Sequence, residues 1–272
     1  PLKRLSRRGW EVTLLPVEQN GNEPAGMVDP RHVAEAIRDE TVLVSVMLAN
    51  NEIGVIQPTA ALARLARDAG ALLLCDAVQG YGRVPIPDGC DMIAISAHKI
   101  HGPKGVGALW LRDGVRPAPL LHGGGQEGGL RSGTLSPALC AGFGAAARLM
   151  RENAASDLAH VESLAALARL ALPDWSLNGS ATHRYPGNLN LRRDGIDGAR
   201  LLSYCRNIAF SLGSACASGS GRPSHVLRAL GLTERQARGS VRIGFGRYTT
   251  PDEVERAARA LNEAAAAQAA LR

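Results

Sequence analysis

Lysine is scarce in this chain of 272 residues: of 31 basic residues only Lys3, Lys99 and Lys104 are lysine, and arginine supplies the rest. Two of the three fall in one short stretch, AISAHKIHGPKG, residues 94–105. Because routine surface charge is coded here as arginine, a lysine in that stretch points to chemistry that needs a primary amine. Cysteine is sparse too. Cys75, Cys90, Cys140, Cys205 and Cys216 form no CxxC pair and no zinc-type spacing, and their odd number argues against a disulfide framework. Aromatic residues make up only 4% of the chain, which leaves few platforms for stacking single-stranded bases. The net charge of +6 would suit nucleic acid, but the arginines are scattered along helices rather than gathered into an arm, so no direct nucleic-acid partner is expected. Long apolar runs are missing. The longest, such as residues 71–75 and 264–267, fall far short of a membrane span, and the N-terminus lacks the apolar core of a signal peptide. No membrane partner and a cytoplasmic location are the expectations.

What is present is an alternation of strand and helix patterns. WEVTLLPV reads as a strand, DPRHVAEAIRDE as a helix capped by Asp29 with Pro30 at its first position, and TVLVSVM as a buried β-branched strand. Together they predict a βαβ unit. PTAALARLARDAG is an amphipathic helix ending at Gly70, ALLLC and DMIAIS are further buried strands, and VGALWLR is another. The expected fold class is α/β, a mostly parallel sheet flanked by helices. A glycine-rich loop and an alanine-rich helical stretch from Pro137 to about Leu172 follow. NLNL, IAFSL, SVRIGF and intervening helices then predict a smaller C-terminal α+β domain. Residues 1–150 are read as the large domain and 151–272 as the small one.

In an open parallel sheet, ligands gather outside the carboxyl ends of the strands. Three successive strands deliver polar residues there: Asn50 and Asn51, then Asp76 and Gln79, then Ser96, His98 and Lys99. This set is what a bound pyridoxal phosphate requires. A Schiff base with its aldehyde needs a primary amine, which Lys99 offers and arginine cannot. A carboxylate beneath the pyridinium nitrogen keeps it protonated, the part assigned to Asp76. Gln79 can donate to the phenolic oxygen, while Ser96 and His98 can bind the phosphate.

The motifs NNEIGVIQP, CDAVQGYGRVPI, SAHKIHGPKGVGALW, HGGGQEGGLRSGTL, GSACASGS and VLRALGL followed by SVRIGFGRYTT together resemble the group I cysteine desulfurases, within the fold-type I pyridoxal-phosphate transferases of the class-V aminotransferase family. The resemblance runs from about residue 10 to about residue 260. It implies removal of sulfur from L-cysteine, giving L-alanine and an enzyme persulfide for sulfur-acceptor proteins such as an iron-sulfur scaffold. Lys99, Asp76, Gln79, Ser96 and His98 keep the roles just given. Thr134 would reach the phosphate of the other subunit in a homodimer, and Asn51 and Arg242 would orient the substrate, with Arg242 on its carboxylate. Cys216, in a small, polar and flexible setting, becomes the nucleophile, and the resemblance also suggests it as an iron-sulfur ligand.

Members of that family usually carry a further segment ahead of the position matching Pro1, with a phosphate loop and a ring-stacking histidine. A shortened chain with a weaker hold on the cofactor is therefore expected. Two other readings stay open on the residues: a different fold-type I enzyme, such as a selenocysteine lyase or an aminotransferase, which would not need Cys216, and a non-catalytic scaffold for sulfur-transfer partners. A metal hydrolase built on His98, His101 and Asp76 lacks a recognised ligand spacing. Iron-sulfur assembly, tRNA thiolation and DNA phosphorothioation all stay open as destinations of the sulfur.

Overall fold

The structure, a computed structural model, describes residues 1–212 and 224–270. It opens with a short helix, α1 (Leu2–Arg7), after which residues 10–17 run without ladder pairing. The strand expected at WEVTLLPV, and the βαβ unit built on it, are therefore not formed. An extended segment becomes a strand only beside a partner that takes up its backbone groups, and here Trp10 and Leu14 stand 54% and 75% exposed. Helix α2 (Pro30–Ala36) begins as expected: the Asp29 side chain accepts from the Arg31 amide at 2.8 Å, with Pro30 at the first helical position. It stops at Ala36 because Ile37 is already extended.

The strands β1 (Leu43–Met47), β2 (Leu72–Asp76), β3 (Met92–Ser96) and β4 (Gly107–Leu111) form one sheet in that order. The first three are parallel and β4 is antiparallel to β3. Strand β1 was expected to be buried. It is instead an edge strand with alternating exposure, because Leu43, Ser45 and Met47 face outward while Val44 and Val46 pack inward. Helix α3 (Thr59–Asp68) covers one face, setting Leu62, Ala63 and Ala66 against Leu73 and Cys75. The chain then turns at Gly70, whose φ of +71° suits a residue without a side chain. The register pairs Met47 with Asp76 and Asp76 with Ala94, so β1 and β2 end at the same level and β3 runs two residues further. The turns that follow them share one edge of the sheet.

The alanine-rich stretch is two helices, α4 (Pro137–Glu152) and α5 (Ala154–Ala171), which meet at Asn153. Beyond them β5 (Ser176–Leu177), β6 (Asn188–Arg192) and β7 (Ser240–Gly244) make an antiparallel sheet. Helices α6 (Gly198–Tyr204), α7 (His225–Ala229), α8 (Glu234–Arg238) and α9 (Pro251–Ala270) complete the described elements. A second core lies between this sheet and helices α5 and α9, with Leu164, Leu189, Leu191, Val241 and Leu261 each at most 2% exposed. No helix among the described residues is long and apolar enough to cross a membrane.

One ion pair ties α5 to the loop after β7. Arg247 Nε donates to Asp157 Oδ1 at 2.8 Å and its Nη2 to Oδ2, a bidentate arrangement with both side chains about one-fifth exposed. Hydrogen bonding from Arg247 holds the Asp157 carboxyl below the usual carboxylate range. A depressed folded-state pKa contributes stability that is complete above the unfolded value, about 3.9, and is lost as pH falls through the folded one. Asp157→Asn is expected to lower stability at neutral pH by about 1 kcal/mol. Thermal unfolding across pH checks this. The gap between the two proteins should narrow below about pH 4, and a gap of constant size would rule out the ion pair as its source.

Candidate active site

At the shared end of the parallel strands, three turns meet the antiparallel sheet. The first turn, residues 50–54, is organised by Asn50, whose side-chain oxygen accepts the amides of Glu52 at 2.8 Å and Ile53 at 3.1 Å. The other sheet is stitched onto it. Arg242 Nη1 donates to the Asn51 carbonyl at 2.8 Å, Asn188 Nδ2 donates to the same carbonyl at 3.1 Å, and Asn190 Nδ2 donates to the Glu52 carbonyl at 3.2 Å. The second turn carries Gln79. The third is a single turn of 3₁₀ helix, Ala97–Ile100, that carries His98 and Lys99 and ends at His101 in the left-handed region, φ +66°. Gly102 closes it, because a Cβ there would lie 2.9 Å from the Ala97 carbonyl oxygen.

These elements enclose a cavity of about 540 Å³ lined by Asn51, Gln79, His98, Lys99 and Arg242 among others. These residues, with Asn50 and His101, were all singled out in the sequence and come together here. Ser96 sits behind them and binds His98, its Oγ 2.8 Å from Nδ1. Asp76 is the last residue of β2, exposed, and its Oδ1 accepts the Val78 amide at 3.0 Å, so it shapes the turn that leads to Gln79. Neither Asp76 nor Ser96 lines the cavity, and Thr134 stands on an exposed loop outside it. Cys216 lies outside the described residues. The other cysteines have different settings: hydrogen bonding to Cys90 and burial push the Cys75 thiol up, burial raises that of Cys205, and Cys140 is exposed on α4.

Sequence reasoning missed Arg83, Tyr185 and Asn188, which line the same cavity. Arg83 had a signal, four residues after Gln79 within one of the quoted motifs. Tyr185 and Asn188 had none, since they reach the cavity through tertiary contact from the far sheet.

The lining contains Lys99, Arg83 and Arg242 with two histidines, and among the described residues no aspartate or glutamate. Cationic and neutral donors around a primary amine suit a ligand with a phosphate and a carboxylate. A family model for class-V aminotransferases matches residues 1–257. The chain belongs to that family. Its members depend on pyridoxal phosphate, and the donor set of the cavity fits that group.

The chain is 46% identical over 262 residues to a probable mitochondrial cysteine desulfurase of Schizosaccharomyces pombe, covering 93% of this chain and 51% of that protein. It is 44% identical to the cysteine desulfurase IscS of an Anaeromyxobacter species, covering 95% of this chain and 65% of that one. A solved NifS-like protein superposes with a TM-score of 0.86 at 32% identity, covering 96% of this chain and 70% of that one. That likeness supports the fold-type I architecture expected from the sequence. The chain spans about half to two-thirds of the length of these curated relatives. The cytoplasmic location expected from the sequence is corrected by the yeast relative: its name is mitochondrial, which points away from the cytoplasm.

Proposed function

We propose that the chain belongs to a cysteine desulfurase that takes sulfur from L-cysteine and leaves L-alanine and a persulfide on Cys216. The observation that carries this reading is the cavity itself, where a primary amine, an amide and an arginine fork meet with no carboxylate among the described lining residues. Pyridoxal phosphate, when bound, supplies an aldehyde for a primary amine and a ring that withdraws electrons from the substrate α-carbon. Lys99 offers that amine and then holds at Nζ the proton taken from the α-carbon. Gln79 would serve the ring oxygen and the Ser96–His98 pair the phosphate, and Asp76, at the end of β2 just outside the cavity lining, would serve the ring nitrogen. Arg242 and Asn51 hold the substrate carboxylate. The Cys216 thiolate bonds to the substrate sulfur as the carbon–sulfur bond breaks. The electron pair stays on carbon, which gains a proton, so L-cysteine and a thiol become L-alanine and a persulfide without an oxidant.

Two separate cores support a division into a cofactor domain, 1–150, and a smaller domain, 151–272. The exposed position of Thr134, away from its own cavity, suits a homodimer in which it serves the other subunit's phosphate. Its partner is a sulfur-acceptor protein such as an iron-sulfur scaffold, and Cys216 is also a candidate cluster ligand.

The test is to incubate the chain with pyridoxal phosphate and L-cysteine and to measure L-alanine and protein-bound persulfide together. Both should form in the parent, whereas Cys216→Ser should yield neither above background. Alanine formation that survives in Cys216→Ser would favour a lyase or aminotransferase that needs no thiol.

A further inference from the structure

Arg83 is half-buried in the cavity wall and makes three contacts, one within its own glutamine-bearing turn and two with other segments. Its Nη2 donates to the Lys99 carbonyl at 2.6 Å and its Nη1 to the Gln79 carbonyl at 3.3 Å. Its guanidinium carbon lies 5.7 Å from the centroid of the Tyr185 ring. Among the described residues it forms no ion pair, so its donors are spent on backbone rather than on a carboxylate.

Tyr185 is fixed on its other sides. Its amide donates to the Gly54 carbonyl at 2.9 Å, in the turn that carries Asn51. Its ring lies across Gly187, where a Cβ would come within 2.6 Å of the phenol oxygen and the carbon that bears it. A side chain at 187 would push the ring off that position. Burial raises the Tyr185 pKa, so the ring meets Arg83 as a neutral phenol.

We propose that Arg83 is a positioning residue that bolts the lysine turn and the glutamine turn to Tyr185, and so sets Lys99 at a fixed distance from the Arg242-bearing sheet. A planar fork can serve two carbonyls while its face rests on a ring, whereas a lysine can serve one point at a time. This inference rests on the reading that Lys99 takes pyridoxal phosphate.

The experiment compares the parent with Arg83→Lys, Arg83→Gln and Tyr185→Leu. Each is mixed with saturating pyridoxal phosphate, and the rate at which borohydride fixes a pyridoxyl label on Lys99 is followed by peptide mapping. Thermal unfolding without cofactor is measured alongside. Both Arg83 variants should label roughly tenfold to a hundredfold more slowly than the parent, the size expected when a reacting group is misplaced by about an ångström. Tyr185→Leu, which removes the platform and keeps both hydrogen bonds, should fall between them and the parent. The unfolding midpoints of the Arg83 variants should stay within about 4 °C of the parent's. Labelling at the parent's rate in Arg83→Lys would overturn the proposal, as would a larger fall in midpoint in both variants, which would make Arg83 a stability residue. A parent that takes no label on Lys99 would sink the cofactor reading first, an outcome distinguishable from the others.

Discussion

In Lys99→Arg, borohydride treatment with pyridoxal phosphate is expected to leave no pyridoxyl label in the cavity, and alanine formation from L-cysteine should fall by at least about a thousandfold. Arginine keeps the positive charge and much of the length, so phosphate attraction and the local fold survive. What it cannot do is act as a nucleophilic amine, since it stays protonated far above neutral pH. The substitution therefore separates electrostatics from chemistry. The chain suits the experiment because the only other lysines are Lys3 on α1 and Lys104, exposed beyond the 3₁₀ turn. Peptide mapping then has three places to look. A label on Lys104 with Lys99 unlabelled in the parent would refute the assignment, as would Lys99→Arg retaining a substantial rate.

Arg242 carries the second large effect. It sits on β7 opposite Asn190, its Nε donates to Ser211 Oγ at 3.0 Å, and its Nη1 holds the Asn51 carbonyl at 2.8 Å. Backbone hydrogen bonds with Ser211 at 2.7 and 3.1 Å in the two directions hold the same pair of segments together. The guanidinium is thus held in place before any substrate arrives, which lowers the ordering cost of gripping a carboxylate. Arg242→Gln should raise KM for L-cysteine and lower kcat/KM by about a hundredfold or more, while pyridoxal-phosphate affinity changes little. Arg242→Lys should recover only part of the loss, because an ammonium restores charge without the fork. Steady-state kinetics and cofactor titration of the same preparations separate the two constants. Unchanged kcat/KM in Arg242→Gln would remove this residue from the substrate site.

Much of this organisation was legible in the chain as written. Asp29, Pro30 and Gly70 act through neighbours within a few residues, so their caps and turns follow from local chemistry. The same holds for the sequence of strand ends that bear Asn51, Gln79 and Lys99, because period and length mark a parallel strand and the next residues must emerge at its carboxyl end. The scarcity of lysine singles out Lys99, and the fold brings that side chain to the cavity.

Long-range pairing was beyond such reading. WEVTLLPV has the composition of a strand and still runs unpaired, since composition cannot supply a neighbour; TVLVSVM looks central and lies at an edge for the same reason. The grip of Arg83 on Lys99 and Gln79, and the seat of Tyr185 against Gly187, join residues that no spacing rule connects. Short-range sterics and hydrogen bonds are encoded within a few positions of the chain. Which distant surfaces close around a common cavity depends on how two cores pack, and that information is shared across the whole fold.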